Sequence, residues 1–232
     1  MVQTKSTKNA AGQNTDKTMF FFPIGCLIFL LFILFLPILF LLVFFRVVTL
    51  GFEKLGLSPE ATILILLLML VCSSINIPLT KRKLVYVSKR SFFGLFKTPK
   101  LIASGIAINL GGAIIPIILC FYFLSKVPLE PVLIATLLMI LISKILSRSV
   151  PGRGIAISAF IPPLFAVLFA IILAPEFAAP CAFISGVLGT LIGADILNLH
   201  KARKLGPGLL SIGGAGVFDG IFLVGIISAL LT

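Results

Sequence analysis

Tryptophan is missing from this chain, histidine occurs once, and only seven of its 232 residues are acidic. Each shortage excludes something. One histidine, His200, cannot build an HExxH site, and with Asp195 and Asn198 it offers only scattered ligands, so no metal and no cofactor are expected. The four cysteines, Cys26, Cys72, Cys120 and Cys181, lie far apart in apolar segments without CxxC spacing. They read as small buried hydrophobes, not as a disulfide framework. Neither a Gly-rich nucleotide loop nor a nucleophile elbow occurs. Beyond residue 18 no polar stretch is long enough for a second, soluble domain.

What fills the chain is hydrocarbon. Hydrophobic residues make up 59%, including 22 Phe, and the mean hydropathy is +1.24. Soluble domains are usually about 45–50% apolar. Apolar runs of spanning length recur from end to end, which predicts an all-α, polytopic helical membrane protein. The run from Met19 to Phe45 is far longer than a signal-peptide core of roughly 7–15 residues, so it reads as a retained span. Residues 1–18 read as a disordered cytoplasmic tail, and 19–232 as a single membrane domain.

Seven helices are predicted, over 19–49, 59–79, 101–125, 130–147, 154–175, 178–199 and 208–231, with a kink at Pro37. The charges support this layout. Lysines and arginines collect in cytoplasmic loops, and here sixteen of the nineteen fall on one side. They precede the first helix, crowd the basic loop at 80–100, and follow the fourth and sixth helices. Arg46, Lys54 and Lys126 fall on the other side, with all four glutamates. The N-terminus is therefore expected inside and the C-terminus outside, in a multi-pass protein of the cell membrane. The net charge of +12 follows from topology and needs no nucleic acid. In the basic loop, Leu84–Val87 and Phe92–Phe96 flank a polar stretch that suits a short hairpin or an interfacial segment. Membrane lipid is the expected partner, with an ion or small molecule as substrate. The oligomeric state is open.

Two acids remain inside apolar segments, Asp195 in GTLIGADILNL and Asp219 in GGAGVFDGIFLVG. An ionisable group at membrane depth is costly, and it marks a functional hypothesis by default. On an ideal helix, Asp195 and Asn198 lie opposite a small-residue face of Gly186, Gly189 and Gly193. The sixth helix is accordingly expected at the centre of the bundle. Gly111 and Gly112 before Pro116, and Gly213, Gly214, Gly216 and Gly220 around Asp219, are candidate backbone breaks. Unwound backbone is tolerated at membrane depth only where protein or a cavity surrounds it. Asn76 and Asn109, with Ser73 and Ser74, are placed on the same side. The expected site is a cytoplasmic-side cavity lined by Asn76, Asn109, Asp195, Asn198 and Asp219. The structural alternative bonds each aspartate to backbone amides or to Arg153, Lys201 or Arg203. INLGGAIIP also resembles LSIGGAGVF, a similarity ordinary between Gly-rich helices and read here as chance.

Three functions follow. The first is a transporter or channel-like protein whose aspartates bind a proton, a cation or a cationic substrate. The second is an intramembrane aspartyl hydrolase with one carboxylate as acid and the other as base, so Asp195 and Asp219 are also the candidate catalytic residues. The third is a membrane scaffold with a structural acid pair. Geometry separates them. A hydrolytic dyad needs both carboxylates on one water, whereas a structural acid is capped and dry.

FEKLGLSP, INIPL, NLGGAIIP, VPGRGI, IPP, GTLIGADILNL and GGAGVFDGIFLVGI, spread from residue 52 onward, resemble a prokaryotic membrane-protein family known as domain of unknown function 1614. That resemblance implies a membrane fold and no particular activity. Helix numbers and orientation also resemble presenilin-like and signal-peptide-peptidase-like proteases, which carry catalytic aspartates on their sixth and seventh helices. Ala194-Asp195 stands where those have Tyr-Asp, and Gly216-Val217-Phe218-Asp219 where they have Gly-x-Gly-Asp. A seven-helix reading leaves no place for their Pro-Ala-Leu element.

Overall fold

The computed structural model describes residues 15–81, 83–90, 97–150, 154–204 and 207–231. Most of the tail expected at 1–18, together with Phe92–Phe96 and Arg153, lies outside them. The chain divides into two compact units, Met1–Arg46 and Val47–Thr232. Helix α1, Thr15–Lys54, runs without interruption through Pro37. Its apolar side chains from Leu27 to Leu42 are exposed, a surface suited to lipid.

In the second unit α2 spans Pro59–Cys72. Ser58 caps it by accepting the Ala61 amide, and Pro59 takes the first turn, where no amide is needed. Then follow α3 (Ile115–Leu124), α4 (Leu129–Leu146), α5 (Ile161–Leu173), α6 (Ala178–Thr190), α7 (Leu199–Lys204) and α8 (Ala215–Ala229). Among the described residues, three stretches are long and apolar enough to cross a membrane: Gly25–Glu53, Leu129–Leu146 and Pro175–Lys204. Four more apolar helices are shorter, Pro59–Cys72, Leu110–Leu124, Ile161–Leu173 and Ala215–Ala229.

The chain is mostly helical, as expected, but not all-α, because each of the four shorter helices is continued by a strand. β1 (Asn76–Pro78) follows α2, β3 (Lys97–Asn109) leads toward α3, β5 (Gly154–Ala156) precedes α5, and β6 (Leu209–Ile212) precedes α8. β2 (Lys83–Arg90) pairs antiparallel with β3, a hairpin being one of the two forms suggested for the basic loop. Phe92–Phe96, suggested as its second arm, lies outside the described residues, and the arm that pairs with Leu84–Val87 is Lys100–Ala103. β1 pairs antiparallel with β3 and β6 pairs parallel with it. β4 (Arg148–Val150) and β5 form a separate small hairpin. Thus the second helix stops at Cys72, the third and seventh begin as strands, and the fifth starts at Ile161. Local chemistry explains the third. Ile102, Ile106 and Ile108 are β-branched, and Gly105 and Pro99 disfavour a helix interior. The apolar run had hidden this, since continuous hydrophobicity does not tell a buried strand from a helix.

The strands occupy one end of the helical body. They stand at the C-terminal ends of α2 and α4 and at the N-terminal ends of α3, α5 and α8. The bond from the Ile157 amide to the Gly216 carbonyl, 3.0 Å, ties the start of the fifth helical segment to that of α8.

The central position of the sixth helix agrees with expectation. In Pro175–Lys204, 72% of the spanning window is buried, against 28% in Leu129–Leu146. α6 packs on α3, α4, α5 and α8. A β-carbon on Gly189 would strike Met139, and one on Gly193 the Ile140 carbonyl, so α4 lies directly on this small-residue face. Phe183 of α6 meets Phe123 of α3 edge-on at 5.0 Å, and both are fully buried.

Candidate functional site

The site grows from two matching pieces of chain. After β3 the backbone passes through Gly111 and Gly112 in a π-helical segment, Leu110–Ile114, into α3. After β6 it passes through Gly213 and Gly214 into α8. These are the two stretches whose similarity the sequence alone leaves to chance. They share a local form, strand then Gly-Gly then helix, and they run side by side in parallel.

The glycine pairs meet. A β-carbon on Gly112 would collide with the Gly213 carbonyl oxygen, and one on Gly213 would stand 2.6 Å from the Gly112 carbonyl carbon. Gly213 also has φ +68, the left-handed region that favours glycine. Gly213 and Gly214 lie in the break between β6 and α8, whereas Gly111 and Gly112 lie in the π-helical first turn of the helix Leu110–Leu124. Gly216 and Gly220 are not at breaks, because both lie inside α8. They serve close packing, Gly216 on the Ile155 carbonyl and Gly220 on Pro162.

Asp195 reaches this junction from the other side. Beyond Thr190, α6 loosens into a π-helical segment, Leu191–Ile196, in which the Leu197 amide bonds the Ile192 carbonyl at 2.9 Å. Asp195 is 2% exposed, and its Oδ2 accepts the Gly213 amide at 2.6 Å. The carboxylate stands at the residue preceding the α8 N-cap, Gly214, where the partial positive charge of a helix start favours an anion. Among the described residues it has no cationic partner. π-helical turns inside α-helices occur frequently at functional sites.

Asn109 also bonds at the glycine junction, and Asn76 bonds Asn109. The Asn109 amide group donates to the Ser73 carbonyl at 2.6 Å and to Asn76 Oδ1 at 3.1 Å, while its oxygen accepts the Gly112 amide at 2.7 Å. Ser211 also donates to Asn76 Oδ1. Ser211 holds the place in LSIGGAGVF that Asn109 holds in INLGGAIIP, so equivalent residues of the two pieces converge on one acceptor. Sequence reasoning overlooked Ser211, although its alignment with Asn109 was a usable signal.

The remaining two predicted residues stand apart. Asn198 was expected on the Asp195 face. Instead its amide group donates to the Lys144 carbonyl at 3.2 Å, to Ser147 Oγ at 2.7 Å and to the Gly193 carbonyl at 3.2 Å. It clamps the end of α4 to the π-helical segment. The wider π turn shifts the phase that a regular 100° helix assigns, which is why the expected face fails. Asp219 is exposed on α8. Among the described residues no hydrogen bond joins it to Asp195, and neither Lys201 nor Arg203 pairs with either carboxylate. A shared proton would require the two carboxyl groups in contact.

Among the described residues, three helices long and apolar enough to cross a bilayer and four shorter apolar helices are the build of a membrane protein. Residues 70–231 match the family model described as Protein of unknown function (DUF1614), and the chain belongs to that family. No curated protein and no solved structure matches it.

Proposed function

We propose that the protein is a transporter or channel-like protein of the cell membrane that binds a proton or small cation at Asp195. The observation that carries this reading is the buried Asp195 carboxylate, without a cationic partner among the described residues, on a π-helical segment facing the Gly112–Gly213 junction. A carboxylate in such surroundings is compensated by a proton or a cation. Irregular backbone at membrane depth is the usual setting of ion sites in transporters, where strands or unwound turns interrupt crossing helices. Asn109 bonds the Gly112 amide at the junction, Asn76 bonds Asn109, and Ser211 bonds Asn76. In this reading the four shorter helices cross together with their strand continuations. The seven crossings put the N-terminus and the basic hairpin in the cytoplasm and the C-terminus outside.

The test is flux in proteoliposomes with a pH-sensitive dye inside and a panel of monovalent and divalent cations outside. Wild type conducts or exchanges at least one of them, Asp195→Asn abolishes that flux, and Asp219→Asn leaves it. No flux from folded wild type across the panel sinks the proposal.

A second reading has its own support. The same amide bond and low exposure make Asp195 a capped, dry acid, as in a scaffold. It predicts that Asp195→Asn changes thermal stability while no cation flux exists to be lost.

A further inference from the structure

A separate cavity of about 520 Å³ opens at the strand end of the second unit, away from Asp195. Lys81, just after β1, and Arg203, on α7, both line it. Thr80 and Ser104 add hydroxyls, and Gly105 and Gly208 form its backbone floor, joined by a 3.3 Å bond from the Gly105 amide to the Gly208 carbonyl. No acidic side chain is among the lining residues. Both cations are exposed, and neither has an acidic partner among the described residues. Thr80 Oγ accepts the Ile106 amide at 2.8 Å, which leaves its hydroxyl hydrogen free to donate into the cavity.

From this lining we infer that the cavity is a binding site for a phosphoryl anion. Its charged lining consists of donors alone, which suits a group whose oxygens only accept. Arg203 supplies the planar fork that matches two phosphate oxygens, and Lys81 adds a mobile point charge. The volume lies within the range of roughly 300–1,000 Å³ typical of small-ligand pockets. The phosphoryl group can come from an anionic lipid headgroup or from a free phosphate, since both present the same oxygens.

The experiment uses the full chain in neutral detergent. Inorganic phosphate is titrated by calorimetry, and phosphatidic acid and phosphatidylcholine adducts are counted by native mass spectrometry. Wild type is expected to bind phosphatidic acid in preference to phosphatidylcholine, or inorganic phosphate, or both. Lys81→Ala and Arg203→Ala each weaken that binding about tenfold or more, and Arg203→Lys restores part of it. Lys201→Ala/Lys204→Ala, which removes two α7 cations outside the cavity, leaves it within about twofold. Because Lys81 and Arg203 are exposed, the variants fold, as circular dichroism checks. Binding of the lipid alone assigns the site to a headgroup, and binding of inorganic phosphate alone assigns it to a soluble phosphate. Binding of neither overturns the inference. So does equal loss in the Lys201→Ala/Lys204→Ala variant, which would mean unspecific charge attraction.

Discussion

Asp195 Oδ2 accepts the backbone amide of Gly213 at 2.6 Å, joining the loosened end of α6 to the break before α8. One hydrogen bond thus links the most buried acid of the described chain to the residue whose left-handed backbone lets β6 turn into a helix. Asp195→Ala leaves that amide without a partner in a buried place, at a cost of about 1–3 kcal/mol. Asp195→Asn keeps an oxygen in position and costs less. Thermal unfolding in detergent should therefore rank wild type above Asn and Asn above Ala, whatever the flux assay shows. A larger loss for Asn than for Ala would contradict the bond's role.

The Gly112–Gly213 contact makes a second prediction. Gly213→Ala combines a clash with the Gly112 backbone and a left-handed φ. The two effects sum to roughly 2–4 kcal/mol. Gly112→Ala meets the Gly213 carbonyl and, at 3.0 Å, the Phe218 ring, without a left-handed φ, and is expected to cost about 1–3 kcal/mol. Gly25→Ala, with nothing within 4 Å of the new carbon, is the neutral control. The melting order Gly25→Ala, Gly112→Ala, Gly213→Ala, from highest to lowest, is the expected result.

Asn198 donates to two carbonyls and a hydroxyl, all through one amide nitrogen. Asn198→Asp replaces that donor by an acceptor facing the Lys144 and Gly193 carbonyls. It should destabilise more than Asn198→Ala, itself about 1–3 kcal/mol. Equal melting temperatures for the two variants would show that the clamp is not held by these bonds.

Ser143 Oγ and Thr190 Oγ1 are buried without a hydrogen-bond partner among the described residues. Replacing an unpaired buried hydroxyl by an apolar group of similar shape is neutral or stabilising. Thr190→Val and Ser143→Ala are therefore expected to keep or raise the melting temperature. A clear drop for either would reveal a partner such as a buried water.

Loss of the Asn109 amide group should be felt at both of its acceptors. Asn109→Asp retains an oxygen for the Gly112 amide but places acceptor against acceptor at Ser73 and Asn76. Its destabilisation should shrink when Asn76→Ala is added, a coupling that a double-mutant cycle measures directly.

The sequence by itself determined that this chain belongs with lipid. Composition and run length allow no other burial for 59% apolar residues. Its glycine spacing placed α6 at the centre, because only small residues admit helices as close as α4 stands to Gly189 and Gly193. Of the basic loop's hairpin only the first arm, Leu84–Val87, was legible, because its partner Lys100–Ala103 is set by pairing and not by the apolar run Phe92–Phe96. Tertiary structure decided the rest. Pairing with β1, β2 and β6 made 101–109 extended where the apolar pattern fitted a helix equally well. The π-helical segment rotated Asn198 away from Asp195, and a regular helical wheel has no way to register one wider turn. Burial separated Asp195 from Asp219, although both look alike in an apolar window, since exposure is set by packing partners distant in sequence. The pairing of β3 with β6 brought Gly112 against Gly213 across about a hundred residues of chain, and nothing local in either stretch encodes that meeting.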